Sequence, residues 1–400
     1  MATIREREWT NAKGLPTKRW QVDFVDQEGR RRHKQFRLKK EADAYLIGAR
    51  GAVAAGTYAP ESTSPTIGEA IDAWIKRGEA ERLERSTIVQ RRQHKVHILA
   101  VIPADTRLAK ISATRLETAR DTLLTTHSRA LARKVVVSLR TILRQAKAVH
   151  LATAEMKVKG AGRHRKRLEV GVDIPTPEEV KAVVTAAAGE ALALLCLAAF
   201  AGLRASELRG LRWADLDLGS NSSPTVTVSQ RADRWQEIGS PKSEAARRTI
   251  PLGETTARAV RAWKLAQAPI TYRENGEKRQ RPAALMFGTR TDRPDSLSNM
   301  RRKLLAPTLT MAGVALPVLD DAGKPVKDGQ GRPVMKPKYG LHAFRHYAIS
   351  AWLRTCDGDF KLVQTRAGHA SLALTLDRYG HLLQTKGREQ VADAERGLFG

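Results

Sequence analysis

Apolar positions recur along this 400-residue chain with more than one rhythm. In Arg19–Asp26, Trp20, Val22 and Phe24 alternate with polar residues, the period of a half-buried strand. Gln27, Glu28, Gly29 and Arg30 predict a turn, and Arg31–Lys39 a very basic return strand carrying Phe36 and Leu38. A helix is predicted over Lys40–Ala54. Pro60–Pro65 is rich in Pro, Ser and Thr and reads as a linker. Beyond it the period is helical as far as Leu151. Thr66 and Glu69 have capping-box spacing ahead of Ala70, Ile71, Trp74 and Ile75. Further helices are predicted over Arg85–Leu99, Thr114–Leu124 and Ser128–Ala148. Met156–Glu169 has no apolar period and is basic, which predicts an extended linker.

From Pro177 the pattern is mixed. Helices are predicted over Glu178–Ala187, Leu192–Phe200 and Ala257–Leu265, and a short strand over Thr225–Gln230. Gln236–Leu252 predicts a hairpin with Arg248–Leu252 as its return strand, and Thr271–Arg281 a polar loop. Leu316–Lys338 repeats a turn followed by Pro-Val, suggesting an inserted hairpin. Leu341–Leu383 is helical with a break near Gly368. The expected fold class is multidomain α+β. It comprises a small β-rich N-terminal module over 1–60, a helical domain over 66–152, a basic linker over 153–175, and a mainly α domain with a small β-sheet or hairpin over 176–400.

Composition narrows the function. Lys and Arg number 70 against 42 Asp and Glu, a formal charge of +28, and each of the three segments carries part of the excess. Charge spread in this way suits a chain that touches a polyanion along much of its length. A basic chain kept soluble by its charge is the plainer alternative. The two cysteines, Cys196 and Cys356, form neither a disulfide scaffold nor zinc-site spacing. The charged N-terminus does not read as a signal peptide, and the apolar run Ala191–Leu203 is shorter than the roughly 20 residues needed to span a bilayer. A soluble, cytoplasmic, nucleoid-associated protein without membrane contact is expected. Candidate DNA-binding residues are Arg30, Arg31, Arg32, Lys34 and Arg37 on the predicted sheet, Arg133 and Lys134 on a helix, and Arg163, Arg165, Lys166 and Arg167 in the linker. A solvated basic surface would carry the same residues.

Three motifs in the last segment bear on chemistry. Ala201–Leu211 places Arg204 and Glu207 at i and i+3, so Glu207 can fix Arg204 or form an ordinary surface ion pair. Leu341–His346 contains His342, Arg345 and His346. The two histidines have a metal-ligand spacing, but a guanidinium beside a dication is unfavourable and no acidic base follows His342, so no metal is expected. Ala367–Leu382 contains Gly368, His369 and Tyr379. Taken singly, such a His or Tyr is usually a packing residue. As a set they match one reaction, transesterification at a phosphodiester. That reaction needs a nucleophile, cationic clamps for the developing charge, and an acid for the leaving oxygen. Arginine suits the clamp because its planar fork donates to two phosphate oxygens at once.

In their order and flanking residues these motifs resemble the tyrosine recombinase (phage-type integrase) family. The matching positions are Arg204 in AGLRASEL, Lys242 in PKSEAARRTIPL, His342 and Arg345 in LHAFRH, His369 in AGHAS, and Tyr379 in LDRYGHL. The resemblance implies Tyr379 as the nucleophile of a 3′-phosphotyrosyl link, with Arg204, Arg345 and His369 on the non-bridging oxygens. Lys242 would protonate the leaving 5′ oxygen, His342 would assist proton transfer from Tyr379, and Glu207 would buttress Arg204. It also implies an arm-type DNA-binding module over 1–60, a core-binding domain over 66–152, double-stranded attachment-site DNA as substrate, and a tetramer on DNA. An accessory DNA-bending protein is a further implied partner, and no cofactor is implied. The implied activity is site-specific integration or excision of a prophage or mobile element. The alternatives are type IB topoisomerase-like relaxation and a non-catalytic DNA-binding protein. The Leu316–Lys338 insertion sets the lysine hairpin farther from His342 than in a minimal family member.

Overall fold

The computed structural model describes residues 2–382 apart from 11–15, 55, 57, 59, 61–63, 147, 149–155, 159–167, 220–222 and 242. The chain divides into two compact units, Met1–Arg163 and His164–Gly400.

In the first unit, strands β1 (Thr3–Thr10), β2 (Pro16–Val25) and β3 (Arg31–Phe36) form an antiparallel sheet in that order. Trp20 pairs with Phe36, and Phe24 with Arg32. The turn between β2 and β3 is built on Asp26, whose carboxylate accepts from the Glu28 and Arg30 amides and from Arg32 Nε at 2.7 Å. Helix α1 (Lys39–Ala54) buries Ala42, Leu46 and Ala49 in a small core with Val22 and Phe24. Strand β1 has no counterpart in the apolar pattern, because Ile4 is nearly alone among its charged residues. The basic residues of β3 do not share one face. Arg32 and Lys34 alternate with Arg31 and lie on the half-buried side with Phe36, where Lys34 Nζ stands 4.7 Å from the Tyr45 ring.

Further helices follow in the same unit: α2 (Ile67–Ala80), α3 (Arg85–Leu99), α4 (Ala113–Thr126) and α5 (Arg129–Gln145). The capping box of Thr66 and Glu69 is present at the start of α2, and Ser112 and Ser128 cap α4 and α5. Ile71, Trp74, Ile98, Leu116, Leu123, Val135, Leu139 and Ile142 pack into one core. Arg133 and Lys134 are left exposed on α5.

The second unit begins with α6 (Pro177–Ala186), capped by Thr176 and Glu179, and α7 (Gly189–Ala199). Helix α7 has scarcely a polar residue in its interior, and Ala193–Ala199 are all buried, as a central helix requires. After α8 (Ala205–Gly210), strands β4 (Leu216–Asp217) and β5 (Thr225–Val228) lead to the pair β6 (Arg231–Ala232) and β7 (Ile238–Gly239). Strand β8 (Arg248–Pro251) then returns to β5, giving a sheet of order β4-β5-β8. Helix α9 (Glu254–Ala266) follows.

Residues 271–281, expected as a polar loop, are instead a hairpin of β9 (Ile270–Glu274) and β10 (Glu277–Arg281). Asn275 and Gly276 both have positive φ, 51° and 86°, the turn that matches the twist of paired strands. Its side chains are almost all exposed, so backbone pairing rather than apolar alternation defines it.

Helices α10 (Leu297–Met300) and α11 (Ala306–Met311) are joined by a wide turn over Arg301–Leu305. The insertion is closed by β11 (Ala315–Pro317) and β12 (Met335–Pro337). Between them Val318, Val326 and Val334 bond in a backbone ring, each amide donating to the next carbonyl at 2.8 Å. The repeated turn and Pro-Val unit therefore packs against itself. Helices α12 (Leu341–Arg354), α13 (Phe360–Ala367) and α14 (Leu372–Tyr379) complete the unit. Among the described residues, no helix is long and apolar enough to cross a membrane.

Candidate active site

The site is assembled where α7 ends. Gly202, at φ 62°, turns the chain against α12, and a Cβ there would come within 2.8 Å of the Trp352 ring. Arg204 follows as the N-cap of α8. Its amide donates to Glu207 Oε2 at 2.8 Å and its Nη1 to Oε1 at 2.7 Å. Glu207 is only 3% exposed and also receives Arg248 Nη2 at 2.9 Å and Nη1 at 3.1 Å. Burial alone would push its carboxyl up. The hydrogen bonds and charge of Arg248, with the charges of Arg204 and Arg345, outweigh this and hold it at about 2. Arg248 also donates to the Arg366 and Ala246 carbonyls, so it ties the β8 strand to α8 and to the end of α13.

Helix α13 stops at Gly368, which is left-handed at φ 59°. A Cβ at this position would lie 3.1 Å from Arg248 Nη1 and 3.3 Å from the Ala245 carbonyl. The carbonyls exposed by this stop are taken by guanidiniums. Arg204 Nη2 donates to the Gly368 oxygen at 2.9 Å, and Arg345 donates to the Ala367 and Gly202 oxygens. Arg345 is 2% exposed; burial and the neighbouring Arg204 charge push it down to about 9. His369 begins the segment after the stop. Its Nδ1 pairs with Thr375 Oγ1 at 2.9 Å, its Nε2 faces Arg345 Nη2 at 3.4 Å, and burial with the Arg345 charge pushes it down to about 3. Arg204, Glu207, Arg345 and His369 thus form one cluster, and neutral His369 can donate or accept within it.

Tyr379 ends α14. Its ring packs with Ile349, Leu353, Val363 and Ala367, and the residue is 1% exposed. Burial pushes the phenol up to about 12 against the opposing charges of Arg345, Arg378 and Arg204. Its oxygen lies 2.5 Å from His346 Nδ1. His342 was the histidine expected to serve the phenol, yet His346 is the one that touches it. His342 stands edge-on to His346, ring centroids 4.4 Å apart. Although His342 is exposed to solvent, the protein around it and the charges of Arg345 and Arg378 push it down to about 4.

Arg248 was not singled out by the motifs, and His346 was weighed there only as a metal ligand. The alternation of β8 held a clue to the first, since Arg248 and Ile250 share its buried face. His346 lies at i+4 from His342, a spacing read above for metal; its contact with Tyr379 spans 33 residues. Among the described residues, no group of three or more His, Cys, Asp or Glu side chains is arranged to hold a metal ion. Lys242, Arg163, Arg165, Lys166 and Arg167 lie outside the described residues.

No protein-family model matches the chain. Over 240 residues, 60% of this chain, it is 25% identical to the tyrosine recombinase XerC-like protein of Caldanaerobacter subterraneus subsp. tengcongensis. The fold superposes on the Tn1549 transposon integrase solved with transposon right end DNA, with a TM-score of 0.59 at 15% identity. That match covers 83% of this chain and 99% of the integrase. In sequence the chain is similar to tyrosine recombinases, and it shares their fold. A lambda integrase tetramer bound to a Holliday junction shares this recombinase fold at TM-score 0.52 and 15% identity, over 91% of this chain and 95% of the integrase. The chain spans about half the length of the curated relatives it matches.

Proposed function

We propose that the chain is a site-specific DNA recombinase that cuts and rejoins strands through a 3′-phosphotyrosyl intermediate and serves the integration or excision of a mobile element. The observation that carries this reading is the convergence of Arg204, Arg345 and His369 at the stop of α13, within one unit that also holds Tyr379. Two guanidiniums and a neutral imidazole suit a phosphodiester, whose charge grows on the non-bridging oxygens as the phenol attacks. Glu207, pinned by Arg204 and Arg248, fixes the first clamp from behind.

In this reading the Tyr379 oxygen forms the bond to phosphorus and the bond to the 5′ oxygen breaks. Lys242 supplies a proton to that leaving oxygen, and His342 assists removal of the phenolic proton. Exchanging one phosphodiester for a phosphotyrosine conserves the ester, so rejoining needs no nucleotide. The same proposal assigns arm-type DNA binding to 1–60, core-site binding to the helices of 66–152 with Arg133 and Lys134, and phosphate contacts to the linker over 153–175. It further takes a tetramer on DNA as the working assembly, with a DNA-bending protein as accessory, in the cytoplasm on the nucleoid. The likeness to integrases solved on transposon-end DNA and on a Holliday junction supports substrate and assembly alike. The test is covalent capture on nicked duplexes tiled across the DNA on either side of the chain's own gene. Wild-type protein is expected to become DNA-linked and Tyr379→Phe to bind without linking. Linking that survives in Tyr379→Phe would overturn the assignment.

A further inference from the structure

We infer that His346 is a positioning residue for Tyr379, clamping the phenol inside the fold until DNA is engaged. The inference rests on the reading of Tyr379 as the nucleophile and goes beyond it, since none of the implied roles includes His346.

The geometry is specific. His342, Arg345 and His346 occupy one face of α12 at i, i+3 and i+4, and the ring farthest along the helix meets Tyr379 at the end of α14. Among the described residues, His346 Nδ1 is the one hydrogen-bond partner of the phenolic oxygen. Apolar side chains, Ile349, Leu353, Val363 and Ala367 among them, pack around Tyr379, and without this bond the buried hydroxyl would be left without a hydrogen bond among the described residues. A phenol is the better donor and a neutral imidazole nitrogen the better acceptor, which assigns the hydroxyl proton to the bond and places the ring proton on Nε2. Both partners are suited to rest: burial and His342 keep His346 neutral, and burial keeps the phenol protonated. Two residues later His381 Nε2 pairs with the Leu168 carbonyl at 2.8 Å, fastening the chain beyond Tyr379 as well. At 1% exposure Tyr379 cannot meet a phosphodiester, so attack requires the phenol to part from His346.

Two variants separate a hydrogen-bond clamp from simple packing. His346→Asn carries an oxygen close to where Nδ1 lies and keeps the acceptor; His346→Leu keeps the volume and removes it. The readout is nitration of Tyr379 by tetranitromethane in the full-length, DNA-free protein, mapped by mass spectrometry with the exposed Tyr272 of β9 as the internal reference. Nitration of Tyr379 is expected to be about tenfold faster in His346→Leu, as fits the loss of one buried hydrogen bond, and near wild type in His346→Asn. Should His346→Leu fail to fold, His346→Gln, which is polar but carries its oxygen toward the Nε2 position, is expected to show the same exposure. Nitration as slow as wild type in the folded variants lacking the Nδ1-like acceptor would overturn the clamp. Covalent capture on the tiled nicked duplexes, run beside it, tests the recombinase reading separately: a wild type that never links to DNA counts against that reading, whatever the nitration pattern.

Discussion

Glu207 is one carboxylate shared by two guanidiniums, and its removal would affect more than a single ion pair. Arg248 is almost wholly enclosed and sends two donors to Glu207. With Glu207→Gln the Arg248 charge stays buried against a neutral amide. Breaking a buried pair from one side costs roughly 3–5 kcal/mol, because the remaining charge has lost its compensation. Urea unfolding should register a loss of that order in Glu207→Gln, and a loss below about 1 kcal/mol would show that Arg248 finds other satisfaction. Arg204 differs from Arg248 in being half-buried at the open side of the cluster. Arg204→Ala is therefore expected to lower the rate of covalent capture by about 10²–10³, as removal of one oxyanion donor does, while leaving DNA affinity within a few-fold. An unchanged rate would remove Arg204 from the clamp.

The stop of α13 is the element on which the site turns. Gly368 has to be left-handed for the Ala367 and Gly368 carbonyls to face Arg345 and Arg204, and it has Arg248 and Ala245 at its back. Gly368→Ala adds a Cβ in a conformation that L residues resist, at an expected cost of about 1–3 kcal/mol in thermal or urea unfolding. A neutral substitution would mean that the stop can relax without moving His369. This element was legible beforehand, as a break near Gly368 followed by His369. So were the capping box of Thr66 and Glu69 and the alternation of Trp20, Val22 and Phe24, because each signal is local and repeats with the period of its element. The hairpin over 271–281 was not legible by apolar pattern, since its stability rests on backbone pairing around Asn275 and Gly276. Arg248 and His346 escaped for a different reason. Their partners, Glu207 and Tyr379, are 41 and 33 residues away, so the alternation that puts Arg248 on a buried face and the helical spacing of His346 name no partner for either.

At the scale of the whole molecule, the second unit holds His342, His346 and His369 uncharged. His346 and His369 are both pushed down to about 3, chiefly by burial and then by neighbouring positive groups, His342 for the first and Arg345 for the second. The unfolded chain takes up protons at these histidines as pH drops below about 6.5, whereas the folded chain does not. Stability is therefore expected to be full above pH 6.5 and to decline as pH falls from there toward 3, by up to about 1.4 kcal/mol per pH unit for each histidine. Glu207 adds to the decline below its ordinary value of 4.5, because its carboxylate is held at about 2 in the fold. Denaturant midpoints measured from pH 7.5 to 4.5 should fall across this window, and a flat profile would show that the histidines are solvated.

The account stands on the phenol of Tyr379 reaching a phosphorus held by Arg204, Arg345 and His369. Its most direct test is to trap wild-type protein on a nicked duplex, digest the adduct, and locate the DNA-linked residue by mass spectrometry. The expected result is a single nucleotide-bearing peptide modified at Tyr379. A link at any other side chain would contradict it.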